Sequence, residues 1–267
     1  MAVFEFSLFS KDCGGQMSVA MILPIFEKQD ERIAEGERFQ TLWFLHGGGG
    51  DHLSALHRTN IEYYAVKNKL AVVFPSVGRC HYANVPELGD FFDYLSDELP
   101  SLLRKYFPLS PAREDNFVCG TSAGALGAAK LAFTFPERYC AAGLFSMPPE
   151  RPSDFEARFG REDPLVKRLI SLFGDDLGAL DGGPEDVGAL AARYAAEGDG
   201  GLALFCCCGE DDPGFAVHQN FVEELSGLGI PLTSVSGPGG HAWSYWNAQF
   251  GPFFDWLPLK ERDFFPL

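Results

Sequence analysis

The sequence predicts an α/β fold in which helices cover both faces of a mostly parallel central sheet. Short apolar runs rich in β-branched and aromatic residues alternate with segments of helical periodicity along most of the chain. Most of these runs lack the polar alternation of half-exposed strands, which indicates burial on both faces. With 267 residues, 46% of them hydrophobic and 22% charged, the chain suits one domain spanning residues 1–267.

The predicted strands begin with an edge hairpin and continue as parallel strands. Residues 3–9 and 17–23 flank an Asp-Cys-Gly-Gly turn and predict two antiparallel strands at the edge of the sheet. The later strands are predicted at 41–45, 71–74, 116–119, 141–145, 202–207 and 232–236. Apolar residues at three- and four-residue spacing predict helices at 91–106, 123–135 and 215–228.

Residues 147–201 depart from this rhythm. The stretch is rich in Gly, Asp, Pro and Glu and contains two short amphipathic segments, 164–173 and 185–196. It has few large apolar residues and fewer than about 60 residues in total, too few for a separate core. We therefore expect a small helical insertion that lies like a cap over a site.

Charge and composition exclude several classes of function. The formal net charge of −16 leaves no basic stripe for phosphates, so we expect neither a nucleic-acid partner nor a membrane surface. The first residues lack the basic and apolar regions of an export signal, and no window approaches the roughly 18 apolar residues of a membrane span. We expect a cytoplasmic protein with reduced, non-metal-binding cysteines, and the sequence is compatible with a homo-oligomer.

Residues 120–124, Gly-Thr-Ser-Ala-Gly, match the G-x-S-x-G nucleophile elbow. The motif follows a predicted strand and opens an Ala-rich helical segment, which is the context an elbow requires. Because the turn is tight, Gly120 and Gly124 must be nearly free of side chains. Ser122 is then presented at the carboxyl end of the sheet, where the helix amino terminus favours developing negative charge.

A serine nucleophile requires a base and an orienting acid, which follow it in the chain order serine, acid, histidine. His241 lies in a glycine-rich loop just after the last predicted strand and is the candidate base. Three consecutive acids, residues 210–212, follow the strand at 202–207. Asp212 is the first choice for the acid, since a Gly-x-x-Asp turn commonly places it there, and Asp211 is the second.

Acyl transfer also requires two amides that bind the oxyanion, each lowering the barrier by a few kcal/mol. The residue after the nucleophile, Ala123, supplies the first. Residues 46–51, His-Gly-Gly-Gly-Gly-Asp, form an HGGG-type loop after the strand at 41–45, and Gly48 is the expected second donor. A phosphate-binding loop is the alternative, but the P-loop lysine is absent. We interpret His46 as a structural anchor of the loop.

With these motifs in order, the chain resembles the esterase D-like family of α/β-hydrolases, which includes tributyrin esterases, S-formylglutathione hydrolases and feruloyl and acetyl-xylan esterases. The resemblance spans residues 1–258 and rests on the loop at 46–52, the segment 75–82, the elbow, and Gly-His-Ala-Trp-Ser-Tyr-Trp at 240–246. The family usually has Ser-Met-Gly-Gly where residues 122–125 read Ser-Ala-Gly-Ala. This departure changes the pocket wall but keeps the backbone amide.

The resemblance implies a serine carboxylesterase that hydrolyses short-chain acyl esters, including acetyl esters, through an acyl-enzyme and without a metal or organic cofactor. The expected partner is a small-molecule ester. Alternatives are S-formylglutathione or feruloyl or acetyl-xylan ester hydrolysis, peptide or amide hydrolysis on the same triad, and a non-catalytic scaffold. Tyr82, Trp243 and Trp246 lie near the triad loops and either line the pocket or pack in the core.

Overall fold

The computed structural model describes residues 1–25, 36–198 and 201–263. Within these ranges the strands are β1 (Ala2–Ser10), β2 (Gly15–Leu23), β3 (Thr41–Leu45), β4 (Ala71–Pro75), β5 (Asn84–Val85), β6 (Gly89–Asp90), β7 (Asn116–Thr121), β8 (Ala141–Phe145), β9 (Ala203–Gly209) and β10 (Leu232–Gly237). Eight of them form one sheet in the order β1-β2-β4-β3-β7-β8-β9-β10, and β5 and β6 form a small separate ribbon.

The sheet is mostly parallel, as predicted. β1 pairs antiparallel with β2, and β2 pairs antiparallel with β4, while every pair from β4 through β10 is parallel. All residues of β3, β4 and β8 are buried, which explains why their sequences are continuously apolar. At the edge, β1 alternates between exposed and half-buried positions. The predicted edge hairpin and the parallel strands are therefore confirmed.

Helices cover both faces of this sheet. They are α1 (Ser54–Arg58), α2 (Ile61–Lys67), α3 (Phe91–Asp93), α4 (Leu99–Tyr106), α5 (Ala123–Thr134), α6 (Pro152–Phe159), α7 (Pro164–Phe173), α8 (Val187–Glu197), α9 (Phe215–Gly227) and α10 (Trp243–Trp256). A π-helical turn, Tyr94–Glu98, joins α3 and α4 into the helix predicted at 91–106. No helix in the described part of the chain is long and apolar enough to cross a membrane.

Two hydrophobic clusters, one on each face, hold the helices to the sheet. One contains the buried side chains of α4, α5, α8 and α9, and the other contains those of α2 and α10. α5 is buried along nearly its whole length and consists mostly of Ala and Gly. Its small side chains let the helix approach the sheet closely behind the elbow.

The region between β8 and β9 has two parts. α8 is capped by Asp186, whose side chain accepts from the Ala189 amide at 2.9 Å, and it packs against α5 and α9. It therefore lies in a helical layer of the sheet as a crossover helix. α6 and α7 lie outside these layers, and a buried ion pair of 2.6 Å between Lys130 of α5 and Glu185 anchors the end of this segment.

Candidate active site

Ser122 lies in a tight turn between β7 and α5. Its backbone has φ 55° and ψ −123°, a conformation that costs about 1–3 kcal/mol in a residue with a side chain. A Cβ atom on Gly120 would lie 2.2 Å from the Gly124 carbonyl oxygen, and one on Gly124 would lie 2.1 Å from the Leu45 carbonyl oxygen. Both positions therefore require glycine, for the steric reason predicted from the motif.

Asp212 and His241 form a hydrogen-bonded pair. His241 Nδ1 lies 2.8 Å from Asp212 Oδ2, and the Gly214 amide donates to Asp212 Oδ1 at 2.7 Å. The Asp212 side chain is 2% exposed and the His241 side chain 41% exposed. Burial alone would raise the pKa of Asp212, but hydrogen bonds, above all that from His241, hold the pKa of Asp212 at about 2. The carboxylate is thus ionised beside a ring that remains accessible.

Asp211 has a different contact. Its Oδ2 accepts from the Gly239 amide at 3.3 Å, in the loop that carries His241. The Asp212 amide donates to the Gly209 carbonyl at 3.0 Å, which closes the Gly-x-x-Asp turn expected from the sequence. Of the two candidate acids, the structure brings Asp212 to His241.

The strand order gathers the three predicted triad residues at one edge of the sheet. Ser122 follows β7, Asp212 follows β9 and His241 follows β10. Because β7 to β10 are parallel, the carboxyl ends of these strands lie at the same end of the sheet. The carboxyl ends of parallel strands meet at one edge, which is where α/β proteins bind ligands.

The loop after β3 packs directly on the elbow. A Cβ atom on Gly48 would lie 3.7 Å from the Cβ of Ala123. In the part of the chain that the structure describes, the amides of Gly48 and Ala123 have no intramolecular acceptor. Amides without acceptors on two loops in contact are the groups that an oxyanion site requires.

His46 anchors this loop, as interpreted from the sequence. Its Nδ1 donates to the Gly47 carbonyl at 2.8 Å, and its Nε2 accepts from the Val77 amide at 3.2 Å. These two bonds require the neutral ring. Burial lowers the pKa of His46, which favours the same neutral form. Tyr82 lies beneath the same loop, 2% exposed, and its hydroxyl donates to the His46 carbonyl at 2.5 Å. Its contacts are those of a packing residue that supports the loop.

The two tryptophans lie at the start of α10. Trp246 is 5% exposed, and its ring meets His241 edge to face with centroids 5.1 Å apart. Trp243 is half-buried and meets Trp246 at the same centroid distance. Trp246 therefore packs in the core beside the histidine, and the half-buried Trp243 packs against that core at its surface.

A small apolar cavity lies between α5 and the segment from α6 to the turn after α7. Leu126 of α5 lies one helical turn after Ser122, and the rings of Phe155 and Phe173 close the cavity from the other side with His81. The cavity is small: the volume open to the centre of a water-sized sphere is about 10 Å³, which is enough for one water molecule.

The chain matches the family model described as "Putative esterase" over residues 10–257. It belongs to this esterase family. An acetyl esterase of Caldicellulosiruptor saccharolyticus is 25% identical over 270 residues, which cover 96% of this chain and 98% of the relative. An S-formylglutathione hydrolase of Paracoccus denitrificans is 29% identical over 192 residues, which cover 64% of this chain and 63% of the relative.

The fold of this family member also matches solved structures. The serine hydrolase FphF of Staphylococcus aureus superposes with a TM-score of 0.85 and 27% identity, covering 96% of this chain and 98% of that chain. The comparisons confirm the predicted family, the α/β-hydrolase fold and the enzyme class, a serine hydrolase of the esterase type.

Two polar residues near the Asp212 side chain were missed by the sequence analysis. Ser146 follows β8, is 3% exposed and accepts from Trp246 Nε1 at 3.0 Å, and it contributes to the lowered pKa of Asp212. His218 of α9 is 1% exposed and accepts from the Met147 amide at 3.2 Å. Ser146 could have been found by asking which polar residue directly follows the strand between β7 and β9. His218 has no local sequence signal, since a single histidine in a helix is common.

Proposed function

We propose that this protein is a serine esterase that hydrolyses small acyl esters, with Ser122 as nucleophile, His241 as base and Asp212 as the orienting acid. The observation that carries the proposal is the hydrogen bond of 2.8 Å between His241 and Asp212, at the sheet edge where the strained elbow presents Ser122. A buried carboxylate on Nδ1 leaves Nε2 of the ring as the proton acceptor.

The proposed reaction has two stages. His241 takes the proton of Ser122 as the hydroxyl attacks the ester carbonyl, and the amides of Gly48 and Ala123 stabilise the oxyanion. The alcohol leaves with the proton from His241, and water activated by the same ring hydrolyses the acyl-enzyme. Asp212 stays ionised throughout and stabilises the imidazolium.

The narrow cavity beside Leu126 supports a preference for small acyl groups. Because it has room for about one water molecule, it would take at most the methyl group of an acetyl ester and excludes longer chains. The part of the 147–201 insertion that precedes α8, with α6 and α7, supplies the cap over this space. The acetyl esterase that aligns over 96% of the chain supports the same substrate class.

Replacement of the nucleophile tests the proposal. Ser122→Ala should reduce kcat on nitrophenyl acetate by at least about 10⁴-fold, because the nucleophile has no substitute, while leaving the circular dichroism spectrum unchanged. A fluorophosphonate probe should label the wild type at Ser122 and fail to label the variant.

The matched control is Ser101→Ala, since Ser101 is exposed on α4. It should retain full activity and labelling. Hydrolysis by Ser122→Ala within tenfold of the wild type would remove Ser122 from its proposed role.

A further inference from the structure

We propose that Lys130 is a positioning residue, which through Tyr82 holds the loop at residues 46–50 in the orientation that an oxyanion requires. The inference rests on the proposed function, because it assigns a role toward the proposed oxyanion donor Gly48. Lys130 lies eight residues after Ser122 along α5, a rise of about 12 Å, so it does not touch the reacting atoms. Its effect reaches the site through Tyr82.

The Lys130 ammonium lies in a buried site with three partners. It donates to the Glu185 carboxylate at 2.6 Å and to the Tyr82 carbonyl at 2.9 Å. Its nitrogen also lies 4.9 Å from the centroid of the Phe92 ring, whose face attracts a cation. The Lys130 side chain is 1% exposed, and these contacts account for the three donors of an ammonium. The Tyr82 carbonyl is therefore fixed relative to α5.

The segment that Lys130 holds has an unfavourable backbone. His81 has φ 59° and Tyr82 has φ 58°. Left-handed conformations in two successive residues with side chains persist where the surrounding structure holds them. The Tyr82 ring also lies against the backbone of α5, since a Cβ atom on Gly127 would lie 2.4 Å from the Tyr82 Cγ. Tyr82 is thus held at its carbonyl by Lys130 and at its ring by the helix.

The Tyr82 hydroxyl transmits this placement to the loop. It donates to the His46 carbonyl at 2.5 Å, and His46 Nδ1 donates to the Gly47 carbonyl at 2.8 Å. The Gly47 carbonyl and the Gly48 amide belong to one planar peptide group, so a fixed carbonyl fixes the direction of the amide. Hydrogen bonds and covalent geometry therefore connect Lys130 with the Gly48 amide without a gap.

The first test is Tyr82→Phe, which keeps the ring and removes the hydroxyl that binds the His46 carbonyl. We expect kcat on nitrophenyl acetate to fall about tenfold with KM within twofold of the wild type, because the oxyanion forms only after the substrate has bound. Lys67→Met is the control. Lys67 pairs with Asp263 at 2.8 Å at the end of α2, and its loss should leave kcat unchanged.

The second test removes the ammonium without leaving an unpaired buried charge. Lys130→Met combined with Glu185→Met replaces the ion pair by two apolar side chains, a change that is often neutral or stabilising for buried pairs. We expect cooperative urea unfolding, as in the wild type, and a kcat about tenfold lower, because the Tyr82 carbonyl has lost its donor. Adding Tyr82→Phe to this double variant should lower kcat by less than the product of the two losses, since both act on one path.

A measurement without turnover separates this proposal from the proposed function. In protein with isotopically labelled glycine, the NMR amide resonances of Gly47 and Gly48 should shift in Tyr82→Phe and in the double variant, and should stay in place in Lys67→Met. These shifts do not depend on the role of Ser122, so they hold even if Ser122→Ala remains active. Unmoved resonances of both glycines, or kcat within twofold of the wild type in Tyr82→Phe and in the double variant, overturn the proposal.

Discussion

At the scale of single residues, the site depends on the direction of neighbouring side chains. Asp211 and Asp212 are adjacent acids with different partners: Asp211 accepts from the Gly239 amide, and Asp212 accepts from His241. The first holds the loop that carries the histidine, and the second faces the ring. Chemically identical neighbours therefore have distinct expected roles.

Amide substitution at the two positions should give unequal losses. Asp212→Asn should lower kcat at least about 100-fold, since an amide cannot hold the imidazole in the required tautomer and the comparable change in a serine protease costs about 10⁴. Asp211→Asn should stay within about fivefold of the wild type. Steady-state kinetics on nitrophenyl acetate measures both, and the reverse ranking would move the acid to Asp211.

The elbow glycines give a prediction on stability. Gly124→Ala should lower the free energy of unfolding by about 3 kcal/mol, because the new Cβ would lie 2.1 Å from the Leu45 carbonyl oxygen. Gly227→Ala is the control, since a Cβ there meets nothing within 4 Å at the end of α9, and it should be neutral or slightly stabilising. Urea denaturation followed by tryptophan fluorescence measures both. Equal stabilities would contradict the steric argument.

The sequence predicted the elbow and the histidine loop because their requirements are local. Glycine spacing around Ser122 and the position of His241 after the last strand are both readable along the chain. The choice between Asp211 and Asp212 depends on how the turn after β9 directs each side chain, so the sequence ranked them without deciding. Ser146 was missed because its partners come from β9 and α10, far away in the chain.

At the scale of elements, the apolar face of α6 is buried at one position and exposed one turn later. Phe155 is 2% exposed and meets the His81 ring edge to face, whereas Phe159, one turn later, is 41% exposed. Arg158 of the same helix donates to the Pro213 carbonyl, next to Asp212. α6 thus connects the wall of the small cavity with the turn that holds the acid.

This geometry predicts a change in acyl-chain preference. Phe155→Ala should enlarge the cavity and raise kcat/KM for octanoyl relative to acetyl nitrophenyl esters by about tenfold, because the ring closes the space beside Leu126. Phe159→Ala should leave the ratio as in the wild type, in which acetyl esters are preferred. A wild type that favours octanoyl esters would show that the acyl chain lies elsewhere.

The interpretation of residues 147–201 illustrates the limit of periodicity. The segments at 164–173 and 185–196 have similar amphipathic patterns, and the sequence assigned both to the insertion. In the structure, α7 lies outside the layers of the sheet and α8 packs on α5 and α9. Periodicity reports that a helix has an apolar face, but not which surface covers that face.

At the scale of the whole molecule, a buried histidine couples stability to pH. His218 is 1% exposed, and burial lowers its pKa to about 4. In the unfolded chain a histidine titrates near pH 6.5, so the unfolded state binds the proton first as the pH falls. The part of the unfolding free energy that depends on neutral His218 is fully present above about pH 6.5. It is lost as the pH falls toward 4, and the total loss is on the order of 3 kcal/mol.

Replacing this histidine should flatten the acid side of the stability curve. His218→Asn keeps an acceptor for the Met147 amide but cannot titrate, so the loss of unfolding free energy between pH 6.5 and 4.5 should shrink by about 2 kcal/mol. His57→Asn, at an exposed position of α1, is the control and should leave the curve unchanged. Urea titrations at several pH values measure the slope. Parallel curves for wild type and His218→Asn would exclude the coupling.

The strand order also determines when a growing polypeptide acquires catalytic competence on the ribosome. From β7 onward each new strand adds beside the previous one, so the sheet extends in the direction of translation. A nascent chain carries Ser122 well before the carboxylate that follows β9, and the histidine emerges last, just ahead of α10. With the proposed roles of these residues, ester cleavage requires the loop after β10, so we expect nascent chains that stop before His241 to be inert toward esters.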